Sequence, residues 1–179
     1  AAYMRRLEGQ IAKIGGGKSA TVSGRYYAMD RDKHWDRLEP AYQAVALGKG
    51  LQAESPEKAM EASYQAGQTD EFVKPVVCCS GAGVSEKDSV IFFNFRPDRA
   101  REITRCFCCE DDFFKDINFK REKRLDVTYV CFSDYDPTIP NKEVAFHKIS
   151  VTNTFGEWLA ANGMTQARIA ETEKYAHVT

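Results

Sequence analysis

The sequence predicts an α/β fold, an open and mostly parallel sheet flanked by helices on both faces. Three observations carry that expectation. Two uninterrupted apolar runs, Ser89 to Asn94 and Val127 to Phe132, read as strands buried on both faces, the habit of parallel sheets. Stretches with apolar residues three and four apart precede and separate them, as covering helices require. Helix-start chemistry also recurs: Ser55 can cap a helix with Pro56 at its first position, and Pro97 follows a strand directly.

Taken in order, Tyr3, Met4, Leu7, Ile11 and Ile14 share one face of an amphipathic helix that Gly15-Gly16-Gly17 stops. Lys18 to Ser23 is short and partly β-branched, a strand ending at Gly24-Arg25. Trp35, Leu38, Tyr42 and Val45 share a helical face between Asp32 and Leu47. Pro40 leaves two options there: a late start with Asp36 and Glu39 as a capping-box pair, or a kink at the proline. A shorter helix runs from Pro56 to about Gln65, and another from Pro97 to about Phe107. Glu110 to Arg124 alternates aromatics with charges and reads as a surface helix or excursion. Pro137, Pro140 and Asn141 mark a long connection. Thr154 can cap a helix from Phe155 to Ala161, ended by Asn162-Gly163, and Gln166 to Ala170 returns as a strand.

With 179 residues, 43% hydrophobic and 28% charged, the chain is neither a disordered polymer nor a membrane protein, and no apolar run approaches a spanning length. Lys plus Arg number 25 against 26 Asp plus Glu, a formal charge of -1, so a bulk basic field for nucleic acid is absent and any anion site must be local. The six cysteines fall as Cys78-Cys79, Cys106-Phe107-Cys108-Cys109 and Cys131, and several lie in or beside apolar runs. They read as reduced, partly buried thiols of a cytosolic protein rather than zinc ligands. The first residues lack a signal-peptide centre and begin inside a helical pattern, which suggests a fragment.

Local anion chemistry has two candidates, each a loop behind a strand: Arg25 and Arg31 within Ser23 to Asp32, and Arg96 and Arg99 within Asn94 to Arg101. Loops at the carboxyl ends of parallel strands converge on one rim, so the two should meet. The planar guanidinium donates paired bonds to carboxylate or phosphate at any working pH. Arg96 and Arg99 flank Pro97 at a helix start, where free N–H groups add attraction for phosphate. Asp30 and Asp98 are placed to orient the arginines through ion pairs. The alternative for any one of these arginines is a surface salt bridge. Tyr26-Tyr27 reads as packing rather than a base-stacking platform. Near the end, Lys174 is a further candidate phosphate contact. His177, like His34 and His147, reads as structural rather than acid–base. No zincin, nucleophile-elbow, P-loop or Rossmann fingerprint occurs.

Three blocks, Thr21 to Asp32 with Gly24-Arg25-Tyr26-Tyr27-Ala28-Met29-Asp30-Arg31, Val90 to Arg101 with Asn94-Phe95-Arg96-Pro97-Asp98-Arg99, and Ile169 to Thr179 with Glu171-Thr172-Glu173-Lys174, resemble in order the signature blocks of cofactor-independent phosphoglycerate mutases. The likeness covers essentially the whole chain. It implies interconversion of 3-phosphoglycerate and 2-phosphoglycerate through a phosphoserine, by two domains. One, related to alkaline phosphatase, carries the serine and two manganese ions; the other is inserted into it and positions the glycerate. By this resemblance residues 1–152 are the inserted phosphotransferase domain, truncated at its start, and 153–179 begin the return to the phosphatase-like domain. Arg25, Arg31, Arg96, Arg99 and Lys174 would contact substrate. The segment would hold no nucleophile and no metal ligand, the manganese belonging to the missing domain, and 2,3-bisphosphoglycerate would not be needed. The implied parent is a cytoplasmic, monomeric glycolytic isomerase acting on a small molecule without nucleic-acid or membrane partners, and the segment alone would be inactive. The competing reading is a stand-alone anion-binding module without catalysis.

Overall fold

Helix α1 (Ala2–Ile14) forms on its amphipathic spacing and ends where Gly15 takes φ +75°, a left-handed turn that glycine adopts without a Cβ penalty. The computed structural model describes residues 2–122 and 124–171. The chain divides into two units, Ala1–His147 and Lys148–Thr179. No residue of α1 is buried, and Arg5 ties it to the first turn of α4 (Pro56–Gln65) through Glu57.

Within the first unit the strands form two small sheets. β1 (Thr21–Val22), β2 (Leu51–Gln52) and β3 (Val76–Val77) are ordered β1-β3-β2, with β1 antiparallel and β2 parallel to β3. The second sheet, β4 (Ser89–Phe92), β5 (Thr128–Ser133) and β6 (Glu143–Phe146), is parallel throughout, Val90 facing Tyr129 and Cys131 facing Val144. Between β4 and β5 the chain crosses over through α5 (Arg101–Cys108), the connection a parallel pair demands. The architecture is therefore mixed α/β with a parallel sheet. No helix among the described residues is long and apolar enough to cross a membrane.

The main core lies between α5, β5 and α3 (Trp35–Leu47), where Leu38, Tyr42, Ile103, Phe107 and Tyr129 are buried together. Cys106, Cys108, Cys109 and Cys131 are buried in this same cluster, and all six cysteines are free thiols. Burial pushes the Cys108 thiol up to about 12 and Cys131 to about 11. These sulfurs stay protonated and pack as small hydrophobes. Pro40 sits inside α3, which starts at Trp35, upstream of the capping pair that a late start would need. Glu39 instead accepts from Gln43 Nε2 (3.1 Å) and from the Lys120 amide (3.0 Å). The Glu110 to Arg124 stretch forms a 3-10 turn over Asp111–Phe114 and then folds inward. Phe114 and Phe119 are buried edge-on against Trp35.

Several strand expectations need correction. β4 is an edge of its sheet, with Val90 and Phe92 turned to the core but Ile91 65% exposed, so the run is covered on one face only. An unbroken apolar run states that residues are apolar, not which faces find partners. β2, β3 and β6 escaped notice because two-residue ladders and the Glu143–Phe146 strand carry little pattern of their own. Gln166 to Ala170 is not a strand. In the second unit, Gln166 instead donates to Gly156 O (2.8 Å), binding the chain to α6 (Phe155–Ala161). Helix α6 starts behind Thr154 as expected, and Glu157 adds the second half of a capping box.

Gly24 is the residue that lets the first arginine loop close. Its N–H donates to Val73 O (2.8 Å), and a Cβ there would lie 2.3 Å from Glu71 O, a backbone atom that cannot swing aside. Gly24→Ala should therefore destabilise the protein by about 1–3 kcal/mol, read as a lower midpoint in urea unfolding.

Candidate functional site

The Gly24 contact starts the site, because the four-residue helix α2 (Arg25–Ala28) begins at the next residue and packs on the 3-10 turn Asp70–Phe72 and on α3. Tyr26 is enclosed by Tyr27, Phe72 and the Arg37 guanidinium, whose carbon lies 4.3 Å from its ring centroid. The tyrosine pair is packing. Arg25 is left at the cleft edge, half exposed, with its Nη2 3.0 Å from Glu71 Oε2.

The second loop leaves β4 and is clasped from the strand beyond it. Tyr135, buried to 1% exposure, sets its hydroxyl between Phe92 O (2.8 Å) and Asn94 O, and that oxygen accepts from the Phe132 amide. Ser133 Oγ donates to Phe95 O (2.7 Å), and Arg101 Nε donates to Tyr135 O (2.8 Å). Residues 133 to 135 thus fix the backbone that leads into Arg96 and, through the Arg101 side chain, the start of α5 beyond it. Helix α5 starts at Arg101 rather than at Pro97. A tight turn intervenes, with Pro97 O accepting from Ala100 and Arg101. Arg96 and Arg99 lie on that turn and not on the first helical residues, so their position comes from the clasp and not from a helix N-terminus.

The two loops meet. A cleft of about 480 Å³ is lined by Arg25, Met29, Phe93, Asn94, Phe95, Arg96, Asp98 and Arg99. Arg99 Nη1 reaches across to Met29 O (2.8 Å). Asp98 Oδ2 accepts from Arg31 Nη1 (3.2 Å) and from Arg96 Nη2 (2.9 Å), one oxygen shared by an arginine from each loop. Burial works to raise the Asp98 carboxyl, but the Arg31 bond and the Arg96 charge outweigh it and hold it below its ordinary value. The meeting does not occur on the rim of one sheet. β1 and β4 belong to different sheets, and the contacts just named join the two loops.

Of the sequence candidates, Arg25, Arg96 and Arg99 line the cleft and Arg31 is held behind it on Asp98. Asp98 orients two arginines as expected, whereas Asp30 lies 4.0 Å from the guanidinium of Arg37, which belongs to neither loop. Lys174 and His177 lie outside the described residues. His34 precedes α3, and His147 is exposed beside Asp134 (3.1 Å), both away from the lining. Tyr135, Ser133 and Glu102 were missed. The first two act over some forty residues of sequence, and Glu102 reads locally as an ordinary first-turn acid of a helix. Among the described residues no group of three or more His, Cys, Asp or Glu side chains could hold a metal ion, so these residues do not fit a manganese site.

A family model described as the N-terminus of BPG-independent PGAM matches residues 1–137. The chain belongs to this family. The 2,3-bisphosphoglycerate-independent phosphoglycerate mutase of Lachnoclostridium phytofermentans is 58% identical over 181 residues, a match covering 99% of this chain and 35% of the relative. That of Acetivibrio thermocellus is 53% identical with the same coverage. Among solved structures, a Leishmania mexicana phosphoglycerate mutase at low cobalt concentration matches with a TM-score of 0.76 at 26% identity, covering 99% of this chain and 34% of that one. The chain thus spans about a third of the length of these mutases.

Because Asp98 has a lower pKa folded than unfolded, its contribution is complete above the ordinary aspartate value of 3.8 and is lost as pH falls through the lower folded one. Asp98→Asn should cost about 1–3 kcal/mol at neutral pH and flatten that acid limb, measured as melting temperature against pH beside the unsubstituted protein.

Proposed function

We propose that this chain is the substrate-positioning part of a phosphoglycerate mutase, and that its arginines hold the glycerate while the phosphoryl group changes position. The single observation that carries this is the convergence of Arg25, Arg96 and Arg99 on one cleft, with Arg31 tied to Arg96 through Asp98. A phosphoglycerate has a carboxylate and a phosphate, each matched by the guanidinium fork. Family membership supports this reading, on which the reaction is an isomerisation of 3-phosphoglycerate and 2-phosphoglycerate.

The chemistry assigned to this segment is electrostatic. Arg25 and Arg96, both with exposed guanidinium groups, are the first contacts for substrate, while Arg99 and Arg31 keep the loops in register. Phe93 and Phe95 border the same cleft and lower its dielectric once it closes, which strengthens each charge-assisted bond and keeps water from the bound intermediate. Orientation then selects which glycerate hydroxyl meets the phosphoryl donor. On this reading the donor is a phosphoserine, and it and two manganese ions belong to the part of the mutase outside this chain. Lys174 adds a phosphate contact. The segment alone turns over no substrate, and the whole enzyme is a cytoplasmic monomer that needs no 2,3-bisphosphoglycerate and no nucleic-acid or membrane partner.

Arg96→Ala provides the test. In a mutase of the relatives' full length carrying this segment, kcat/KM should fall by roughly 100-fold or more, with the melting temperature within about 2 °C of the unsubstituted enzyme, because an exposed ion pair contributes little stability. A large drop in melting temperature with ordinary activity would reverse the assignment. Equal calorimetric affinity for inorganic phosphate and 3-phosphoglycerate, without turnover at full length, would point to a general anion-binding module.

A further inference from the structure

Behind the cleft lies a buried pair of carboxyl groups that the substrate contacts do not use. Asp30 and Glu102 are 4% and 6% exposed and hydrogen-bond to each other. Asp30 Oδ2 already accepts from the Asp32 amide (3.0 Å) and the His34 amide (2.8 Å), and Glu102 Oε1 from the Lys33 amide (2.8 Å). Glu102 Oε2 is buried with no donor facing it. Two carboxylates cannot bond without a proton, so one of the pair carries it. The amides occupying Asp30 favour its charged form, leaving Glu102 as the acid. The loop these carboxyls grip is strained, since Lys33 sits at φ +63°. A non-glycine residue stays there only when its surroundings hold it.

We propose that Asp30 and neutral Glu102 form a one-proton latch that binds the Asp30 to His34 loop to helix α5, and that this latch positions Arg31 on Asp98 and so sets the anion affinity of the cleft. The proposal rests on the phosphoglycerate reading above and names two positioning residues for it. Arg31 is next to Asp30 in sequence, and Glu102 lies one residue into α5, directly behind the turn bearing Arg96 and Arg99. The latch therefore joins one arginine loop to the other from behind. Burial, followed by the bond and the charge of Asp30, pushes Glu102 up to about 8. Desolvation raises Asp30 too, but its bonds from Glu102, His34 and Asp32 outweigh this and leave it below its ordinary value. The other groups facing the pair are Asp32 and His34 on the loop, Arg37 on α3 and the Cys106 thiol one turn along α5. When Glu102 ionises, the shared proton is lost and two negative charges face each other; the Lys33 amide favours the new charge but does not offset that repulsion, so the carboxyls part, the loop loosens, and Arg31 leaves its register.

The experiment measures three quantities across about pH 7 to about pH 9.5, where the phosphate of 3-phosphoglycerate is already a dianion. These are the carboxyl carbon-13 shift of Glu102, exchange of the Lys33 amide, and calorimetric affinity for 3-phosphoglycerate. The Glu102 shift should titrate with a midpoint near 8. Lys33 exchange should rise beyond its intrinsic pH dependence over the same interval, and affinity should fall by roughly tenfold. Glu102→Gln keeps a neutral donor, so it should bind as the unsubstituted protein does near neutrality and show no alkaline loss. Glu102→Ala should bind weakly at every pH. A Glu102 midpoint in the ordinary glutamate range overturns the proposal, and so does an alkaline loss of affinity that Glu102→Gln shares. If 3-phosphoglycerate binds at no pH while the Glu102 shift and Lys33 exchange behave as stated, the substrate reading fails and the latch stands.

Discussion

Guanidinium groups repel one another, and the arrangement described here depends on one carboxylate oxygen that stands between two of them. At about 4 Å and an effective dielectric near 20, two like charges cost about 4 kcal/mol, more than a loop without regular structure can absorb. Asp98 Oδ2 accepts from both Arg31 and Arg96, Glu71 engages Arg25, and the Met29 carbonyl engages Arg99. Each positive group thus has a negative or polar partner before any ligand arrives. The cleft keeps a net positive character because Asp98 serves two arginines with one charge.

That electrostatic centre needs a rigid frame, and the frame is mostly apolar. α3 and α5 pack through Tyr42 and Phe107, whose rings lie 5.2 Å apart, and Phe107 in turn meets Tyr129 of the central strand. The buried cysteines belong to this frame. With thiols held protonated by burial, Cys106 and Cys131 fill space where a larger side chain would force the helix off the sheet. The polar clasp of Tyr135 and Ser133 extends the frame to the loop that bears Arg96.

Much of this was legible in the sequence, and what was not has a common cause. α1, α4 and α6 follow from spacing and caps, since a serine before a proline, or a threonine ahead of a helical stretch that Asn-Gly closes, states its own geometry. The four arginines were legible because each loop is bracketed by Gly or Pro behind a strand. Strand pairing was not, because the Thr21–Val22 ladder against Val76–Val77 involves residues that carry no mark of one another. Tyr135 looked like any aromatic in a proline-rich connection, and its function comes from carbonyls about forty residues upstream. Glu102 shows the same limit, since an acid in the first turn of a helix is expected on dipole grounds whether or not a second carboxyl lies against it.

β4 has a further consequence. Among the described residues no strand pairs with its outer side, and Ile91, Phe93 and Phe95 are exposed apolar side chains along or just beyond it. Such a margin is a template on which another extended chain can add, with the main chain supplying affinity and the aromatic rings supplying grip. Handling this polypeptide by itself at high concentration therefore invites stacking of copies margin to margin, and a charged residue in place of Ile91 is the simplest guard against it.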